Sequence, residues 1–352
     1  MAKYFANIPL QPENLKSLRD AVIKNVLEDE DLKNVLTIKT VRSGEPLAVI
    51  GEMDAGGHAG AGCTPTYDEI GIGNQLKRWA LGAWSIALSI CYENLEDTIA
   101  EYCLKTGTEI ADLTGTDFMA IYLELLTTQM KRMLWRLAWF GDTTAQNITN
   151  GGKITDGQDV TLITPNDGLF KRLFAIATAA PGQRTTIAAN AQTTYAAQTA
   201  AIRQAGVATG IVDSILMDAD PMITASGEAT LFMNKKLADA LALDIKQTYK
   251  DNLPFERIFD GFYLAYYNGV RIASIPTWDF MINTYENTGK AWNLPFRAVL
   301  ASPKNLLLGC DAENPLSDLD IWFEKKDRMN YVYAAGKLDT MVAEDARVHV
   351  AY

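Results

Sequence analysis

One segment, residues 117–140, constrains the fold more than any other part of the chain. Its apolar residues recur at three- and four-residue steps, which predicts one amphipathic helix that follows a cap at Thr116 or Asp117. Such a helix would extend about 36 Å at ~1.5 Å per residue. Trp135 and Trp139 form a second, smaller apolar stripe, so we expect the helix to pack against two partners. The main stripe consists of Phe118, Ile121, Tyr122, Leu125, Leu126, Met133, Leu134 and Leu137.

Residues 51–73 are the second unusual feature, because they contain seven glycines and no clear periodicity. Glycine loses more conformational freedom on ordering than any other residue, so external contacts are expected to hold this segment. Strand-like sequence flanks it, with VLTIKTV and LAVIGEM on one side and QLKRWALGAWSIALSI on the other. The pattern predicts an extended β-hairpin with two long arms and a glycine-rich tip, too long for a routine surface connection.

The remainder of the chain predicts a mixture of helices and strands, and therefore an α+β protein. Residues 166–217 favour helices, and the strand EATLFM leads into a helix that Asn234 can cap. The stretch FYLAYYNGVRIASI alternates around Asn268 and Gly269, a pair that suits a two-residue type I′ turn. Three pairs of apolar residues spaced two apart near the C-terminus predict antiparallel strands: Ile321 and Phe323, Tyr331 and Tyr333, and Val348 and Val350.

Composition excludes some classes of function. The chain has 352 residues, of which 48% are hydrophobic, so it can bury a large core in two or three units. The net charge of −11 argues against a protein that coats phosphate backbones. The first residues show no secretory signal, and the longest nearly apolar run, Leu81 to Cys91, is too short to span a bilayer. We therefore expect a soluble protein with no membrane partner.

The cysteines and histidines do not form a recognisable site. The four cysteines are scattered without a C-x-x-C pair, which indicates reduced, mostly buried thiols in a cytoplasmic protein. His58 lies in the glycine-rich segment, where a catalytic base would lack a fixed position. His349 alternates with two valines and is predicted to face outward. The cysteines are Cys63, Cys91, Cys103 and Cys310.

Acidic residues could suggest a metal site, but turn formation before Pro221 and solvent-facing strand positions explain them better. No phosphate-binding loop, dinucleotide fingerprint or hydrolase elbow is present. The sequence predicts no catalytic residue, no cofactor-binding residue and no metal ligand, and so favours a structural role over an enzyme. An enzyme whose site is built from scattered acidic residues is the alternative. The acidic residues concerned are Asp218, Asp220, Glu228, Asp318 and Asp320.

The order of these elements resembles that of the major capsid protein of tailed bacteriophages, the HK-ninety-seven-type fold shared with encapsulins. The resemblance runs from about residue 36 to the C-terminus, and its specificity lies in the order and spacing of the segments rather than in any one of them. The segments that carry it are SICYENLED, DFMAIYLELLTTQMKRMLWRLAWFGD, ATLFMNKKLADALALDI, NGVRIASIPTWD and FRAVLASPKNLLLG.

The resemblance implies an α+β capsid fold with a defined division of the chain. We expect an N-terminal arm, an extended β-hairpin called the E-loop, and a peripheral or P domain with a long spine helix. An axial or A domain follows, and the C-terminal strands return to the P domain. The corresponding ranges are 1–35, 36–84, 85–165, 166–312 and 313–352.

The resemblance also implies a function and partners. The chain would be a major capsid protein that forms pentamers and hexamers of an icosahedral phage head around double-stranded DNA, without a cofactor. Besides itself, its partners would be a scaffolding protein, a portal, and minor capsid or cement proteins, with DNA enclosed but not specifically bound. It would be located in the virion shell after assembly in the host cytoplasm. An encapsulin-type nanocompartment shell protein is the nearest alternative.

Within the predicted E-loop, five residues are expected to contact a neighbouring subunit, because symmetric assembly offers the same groove to every copy. Ordering the glycine-rich tip on its own subunit would cost roughly 1–2 kcal/mol per residue without apolar burial in return. The residues are Gly56, Gly57, Tyr67, Ile70 and Trp79.

Overall fold

The computed structural model describes residues 30–53, 72–91, 117–225, 227–249, 256–259, 262–311 and 320–352. Several predicted features lie outside these ranges, namely Gly56, Gly57, His58, Cys63, Tyr67, Ile70, Cys103, Asp318 and most of the N-terminal arm. The helices of the described chain are α1 (Glu30–Val35), α2 (Asp117–Phe140), α3 (Leu169–Ala179), α4 (Tyr195–Ile202), α5 (Val207–Asp218), α6 (Pro221–Ala225), α7 (Lys235–Tyr249) and α8 (Pro276–Tyr285).

The strands of the described chain are β1 (Thr37–Val41), β2 (Pro46–Met53), β3 (Ile72–Arg78), β4 (Gly82–Cys91), β5 (Arg184–Thr185), β6 (Thr230–Asn234), β7 (Glu256–Phe259), β8 (Phe262–Tyr267), β9 (Val270–Ile275), β10 (Ala298–Ala301), β11 (Leu306–Asp311), β12 (Asp320–Glu324), β13 (Met329–Val342) and β14 (Val348–Ala351). They form three sheets. A five-stranded sheet has the order β1-β11-β13-β12, with β4 paired to β13 as well. A seven-stranded sheet has the order β5-β14-β10-β6-β9-β8-β7, and β2 and β3 form a separate antiparallel pair.

The seven-stranded sheet is covered on both faces at its centre. Every residue of β6, β10 and β14 is buried, which explains their nearly continuous apolar sequences. Because successive side chains point to opposite faces, Val299 packs in one hydrophobic cluster and Leu300 in another. The first cluster also contains side chains of the five-stranded sheet, such as Leu308 and Val332, so a single core joins the two sheets.

The β8–β9 hairpin agrees with its sequence. Asn268 has a φ of 48° and Gly269 a φ of 79°, the two positive values that a type I′ turn requires. β9 ends at Ile275, and Pro276 occupies the first turn of α8, where its missing N–H has no helical partner to lose.

Helix α2 has the predicted bounds, but one residue of its predicted apolar stripe is misplaced. Leu126 and Leu134 are 3% and 1% exposed, whereas Leu125 is 61% exposed, so the prediction that Leu125 is buried is wrong for the subunit. Adjacent helical residues are about 100° apart, and Leu125 lies seven residues before Arg132 on the solvent side. The second stripe is buried as expected, with Trp139 in edge contact with Trp278 at 4.5 Å between ring centroids.

The predicted hairpin arms are shorter than the sequence suggested. Within the segment VLTIKTV, residues Thr37–Val41 form β1, which pairs in parallel with β11 rather than extending the hairpin. The second arm is interrupted after Arg78, and β4 then pairs with β13. Gly82, at the start of β4, permits the close approach of Pro165, because a Cβ there would lie 1.7 Å from the Pro165 carbonyl oxygen.

Two further details differ from the sequence prediction. Asn234 does not cap α7, because its side chain donates to Asp279 Oδ1 and accepts the Arg297 N–H. Asp279 Oδ2 instead accepts the Lys236 N–H in the first turn of α7, at 3.1 Å. The final strand β14 pairs with β10 in the seven-stranded sheet, whereas β12 and β13 belong to the other sheet.

A buried ion pair lies where these elements meet. Arg297, 1% exposed, forms a salt bridge with Glu286 at the end of α8. Its guanidinium carbon lies 4.8 to 5.6 Å from the ring centroids of Phe140, Phe170 and Phe174. The pair therefore connects the ends of α2 and α8 to α3 and to the start of β10.

None of the described helices is long and apolar enough to cross a membrane.

The burial of α2 predicts a contrast between two leucines. Leu134→Ala should lower the free energy of unfolding by about 2–5 kcal/mol, because it leaves a cavity in the core. Leu125→Ala should change it by less than about 0.5 kcal/mol in the unassembled subunit, because this side chain faces solvent. Urea denaturation of both variants measures the difference, and equal losses would contradict the orientation of α2.

Candidate assembly surface

The β2–β3 hairpin is the part of the described chain whose position needs explanation, because it belongs to neither large sheet. Pro46 pairs with Arg78 at its base, and the register shifts between Ile50 and Met53. Leu76 on β3 is 62% exposed. A two-stranded hairpin is marginally stable by itself, so contacts at its base must fix its direction.

An apolar slot holds the base of the hairpin. Trp79, directly after β3, is 3% exposed and packs with Val41, Leu307 and Met341. Gly309 on β11 makes the slot possible, because a Cβ there would lie 2.6 Å from the Trp79 ring. The structure thus gives Trp79 an internal role, and a side chain buried in this way offers little surface to a neighbouring copy.

A polar clamp lies beside this slot. The Ala80 N–H donates to Asp339 Oδ2 at 2.9 Å, and Arg172 Nη2 donates to Asp339 Oδ1 at 2.7 Å. Asp339 is 1% exposed, and its burial raises the pKa of its carboxyl group, although Arg172 opposes that shift. Lys77 adds a hydrogen bond to the Val342 carbonyl oxygen at 2.6 Å. Together these contacts hold the link between β3 and β4 against β13.

Sequence reasoning did not identify the residues of this clamp. Of the five predicted contact residues, the structure describes only Trp79; the other four lie outside the described residues, and intersubunit contact stays a prediction. The clamp depends on Ala80, Arg172 and Asp339, which are far apart in the chain. The one available signal was Asp339 itself, an acidic residue directly after Leu338 and two residues before Met341 in β13.

His349 does not face outward, so that prediction is wrong. It is 1% exposed, and its Nε2 lies 2.8 Å from Thr185 Oγ1, because β14 is an interior strand between β5 and β10. Burial lowers the pKa of His349 below its usual 6.5, and the carboxylate of Asp218 only partly opposes this shift. In the folded subunit, the imidazole is buried within the seven-stranded sheet and hydrogen-bonds to Thr185.

The other residues considered for chemistry are separate from one another. No group of three or more histidine, cysteine or acidic residues that could hold a metal occurs within the described residues. Cys91 and Cys310 are free thiols, and burial raises the pKa of Cys310 to about 12, which keeps it unreactive.

Large apolar side chains are exposed at several separate places. Trp322 on β12 is 43% exposed and stacks on Tyr331 at 5.4 Å between ring centroids. Met217 at the end of α5 is 83% exposed, and Tyr266 on β8 is 70% exposed. Exposed apolar surface of this kind marks contacts with other molecules when it is grouped. These three residues lie on β12, α5 and β8, so they are separate exposed side chains rather than one continuous patch.

Comparison with known proteins identifies the fold. No family model matches the chain, and no curated protein matches it either. Solved structures do match. The chain is similar to the capsid of an empty GTA particle, with a TM-score of 0.50 and 11% identity over 91% of this chain and 88% of that one. It is also similar to a structure of Mycobacterium phage Cain, with a TM-score of 0.50 and 9% identity over 93% and 89%.

An encapsulin belongs to the same group of matches. The holo-SrpI encapsulin complex from Synechococcus elongatus PCC 7942 has a TM-score of 0.49 and 10% identity over 92% of this chain and 86% of that one. At such low identities the likeness is one of fold. The chain has a mixed α+β capsid fold, and the resemblance to HK-ninety-seven-type shell proteins seen in the sequence is confirmed at that level.

The Trp79 slot predicts that Gly309 cannot be enlarged. Gly309→Ala should lower the free energy of unfolding by about 1–3 kcal/mol, because the added methyl group overlaps the Trp79 ring. Gly210→Ala in α5 is the matched control, since a Cβ there meets nothing within 4 Å. The control should be neutral or stabilising by up to ~1 kcal/mol. Urea denaturation compares the two, and an equally stable Gly309→Ala variant would rule out the slot.

The burial of His349 predicts a pH dependence. Its pKa is lower in the folded subunit than in the unfolded chain, so the unfolded chain binds more protons below about pH 6.5. The wild-type subunit should therefore lose stability between about pH 7.5 and about pH 5.5, and His349→Gln should lose less. Urea denaturation at both pH values measures the two slopes. Identical slopes would show that His349 is accessible to protons in the native state.

Proposed function

We propose that this chain is a shell-forming major capsid protein that assembles into the pentamers and hexamers of an icosahedral phage head enclosing double-stranded DNA. The observation that carries the proposal is the extent of the structural likeness. The capsid of an empty GTA particle and a structure of Mycobacterium phage Cain match over 91% and 93% of this chain, so the likeness is not confined to one common motif. The net charge of −11 supports a wall that encloses DNA without binding it specifically.

The division into domains follows from the sheets. We assign the E-loop to β2, β3 and the residues between them, and the P domain to the five-stranded sheet with α2 as its spine helix. The seven-stranded sheet and its helices form the A domain. This assignment moves β14 from the predicted C-terminal P-domain segment to the A domain, because Val350 pairs with Val299 of β10. It also places β1, from the predicted E-loop range, and β11, from the predicted A-domain range, in the P domain, because both strands belong to the five-stranded sheet. The N-terminal arm stays at 1–35.

In this assembly the hairpin base has a mechanical role. The Trp79 slot and the Asp339 clamp fix the direction in which β2 and β3 leave the subunit. The glycine-rich tip would then contact a neighbouring copy through Gly56, Gly57, Tyr67 and Ile70. The protein acts as a structural component without a catalytic role or a cofactor. Its partners beyond itself would be a scaffolding protein, a portal and minor capsid or cement proteins, within a virion shell assembled in the host cytoplasm.

Negative-stain microscopy of the purified protein tests the proposal. Shells, capsomers or tubes are expected, and a uniform monomer under all assembly conditions would contradict it. The contents of shells isolated from the natural source separate two kinds of container. Packaged DNA supports a phage head, whereas small shells loaded with an enzyme would identify an encapsulin-type compartment instead.

A deletion tests the role of the hairpin tip. Removing residues 54–63 should leave a folded subunit that fails to form stable shells, because the neighbour loses its contact while the Trp79 slot is unchanged. Circular dichroism checks the fold, and sedimentation measures assembly. Replacement of the same ten residues by a glycine-serine sequence of equal length is the control for loop length. Normal shells from the deletion variant would show that the tip serves another purpose.

A further inference from the structure

A protruding apolar surface lies at the C-terminal end of α5. Met217, 83% exposed, is the most exposed large apolar side chain of the described residues, and Met222 in α6 is 48% exposed. Asp218 and Asp220, both exposed, flank the turn between them. Methionine is unbranched and adapts to irregular cavities, so this pair of side chains suits insertion into a groove. We call these four residues the methionine knob.

A groove of complementary character lies near the opposite end of the same helix. A cavity of about 360 Å³ opens between α4 and α7, with Ile202, Leu243 and Phe296 among its lining residues. Arg203 and Lys236 also line it. Leu243 is 38% exposed and forms the accessible apolar part of the groove, whereas Ile202 and Phe296 are buried beneath its surface. We call this surface the α4–α7 groove.

The cationic side chain of Lys236 is held in position at the groove. Its Nζ lies 3.6 Å from the centroid of the Trp292 ring and donates to Asn283 Oδ1 at 2.9 Å. The only acidic residue that lines the groove within the described chain, Asp239, forms a salt bridge with Lys235. The groove therefore presents positive charge, and the methionine knob presents negative charge. The methionine knob and the α4–α7 groove are therefore complementary both in apolar character and in charge.

The positions of the two surfaces define the kind of contact that they can make. Arg203 lies just before α5, and Gly206 at the start of α5 donates its N–H to Asp244 on α7. Met217 lies near the other end of this 12-residue helix, roughly 15 Å away at ~1.5 Å per residue. A knob and a groove at opposite ends of one rigid helix cannot meet within a subunit. Between copies they give a head-to-tail contact, the type that closes rings when the rotation permits.

We propose that the methionine knob of one copy inserts into the α4–α7 groove of the next copy, and that this contact closes the ring of each capsomer. The inference rests on the proposed function, because the pentamers and hexamers of a shell are rings that repeat one head-to-tail contact. Met217 and Met222 would be covered by Leu243 and the neighbouring apolar lining. Asp218 and Asp220 would lie near Arg203 and Lys236 of the adjacent copy.

Site-directed cross-linking tests the contact directly. A variant with both Met217→Cys and Leu243→Cys should give, on mild oxidation, a ladder of covalent oligomers that ends at the ring size. A mixture of the two single variants should give dimers only. Oxidised wild-type protein sets the background from the four native cysteines. The combination of Met217→Cys with Lys325→Cys in the β12–β13 turn is the matched control and should give no ladder.

Charge reversal provides a second test that does not depend on disulfide geometry. Asp218→Arg and Arg203→Asp should each reduce the yield of capsomers about ten-fold or more, and the double variant should restore much of it. Sedimentation measures the yield, and circular dichroism verifies that the subunits fold. If wild-type protein assembles while both charge variants assemble normally and no ladder forms, the contact is wrong and the shell function stands. If wild-type protein never assembles, the shell function and the contact are both wrong.

Discussion

The buried salt bridge between Arg297 and Glu286 is the interaction on which the arrangement of the subunit depends. The rings of Phe140, Phe170 and Phe174 surround the guanidinium group of Arg297. The helices that carry these rings contact both large sheets, and they lie together around this one buried cation. A buried ion pair adds little stability compared with an apolar replacement, but removal of one partner typically costs about 3–5 kcal/mol. Packings that separate the two charges carry this penalty, which favours the observed contact of α2, α3 and α8 with the start of β10.

Local sequence signals predicted the elements that local physics determines. The bounds of α2 follow from its periodicity and from Gly141, whose Cβ would lie 2.7 Å from the Leu137 carbonyl oxygen. The β8–β9 turn follows from the positive φ values of Asn268 and Gly269. In each case the determining residues are neighbours in sequence, so no knowledge of distant strands was needed. The order of such elements was sufficient to indicate the fold.

The features that sequence reasoning missed depend on distant parts of the chain. His349 is buried because β14 is inserted between β5 and β10, and alternation alone cannot reveal a strand covered on both faces. Leu125 belongs to an apolar repeat yet faces solvent in the subunit. Asp339 clamps Ala80, a residue 259 positions away, through a hydrogen bond that only the folded sheet creates. For the candidate site, the sequence therefore indicated a hairpin but not the residues that fix its direction.

The two buried charges suit a subunit that must repeat one geometry many times. In a closed ring, every copy is related to the next by the same rotation, so an angular error within the subunit accumulates around the ring. Hydrophobic packing alone tolerates rearrangement, because cores keep much of their stability when side chains shift. A buried charge with one partner does not tolerate it, since displacement leaves the charge unpaired. Arg297 fixes the two sheets relative to each other, and Asp339 fixes the hairpin relative to β13. In the proposed shell, both charges thus hold constant the angles on which ring closure and hairpin contact depend.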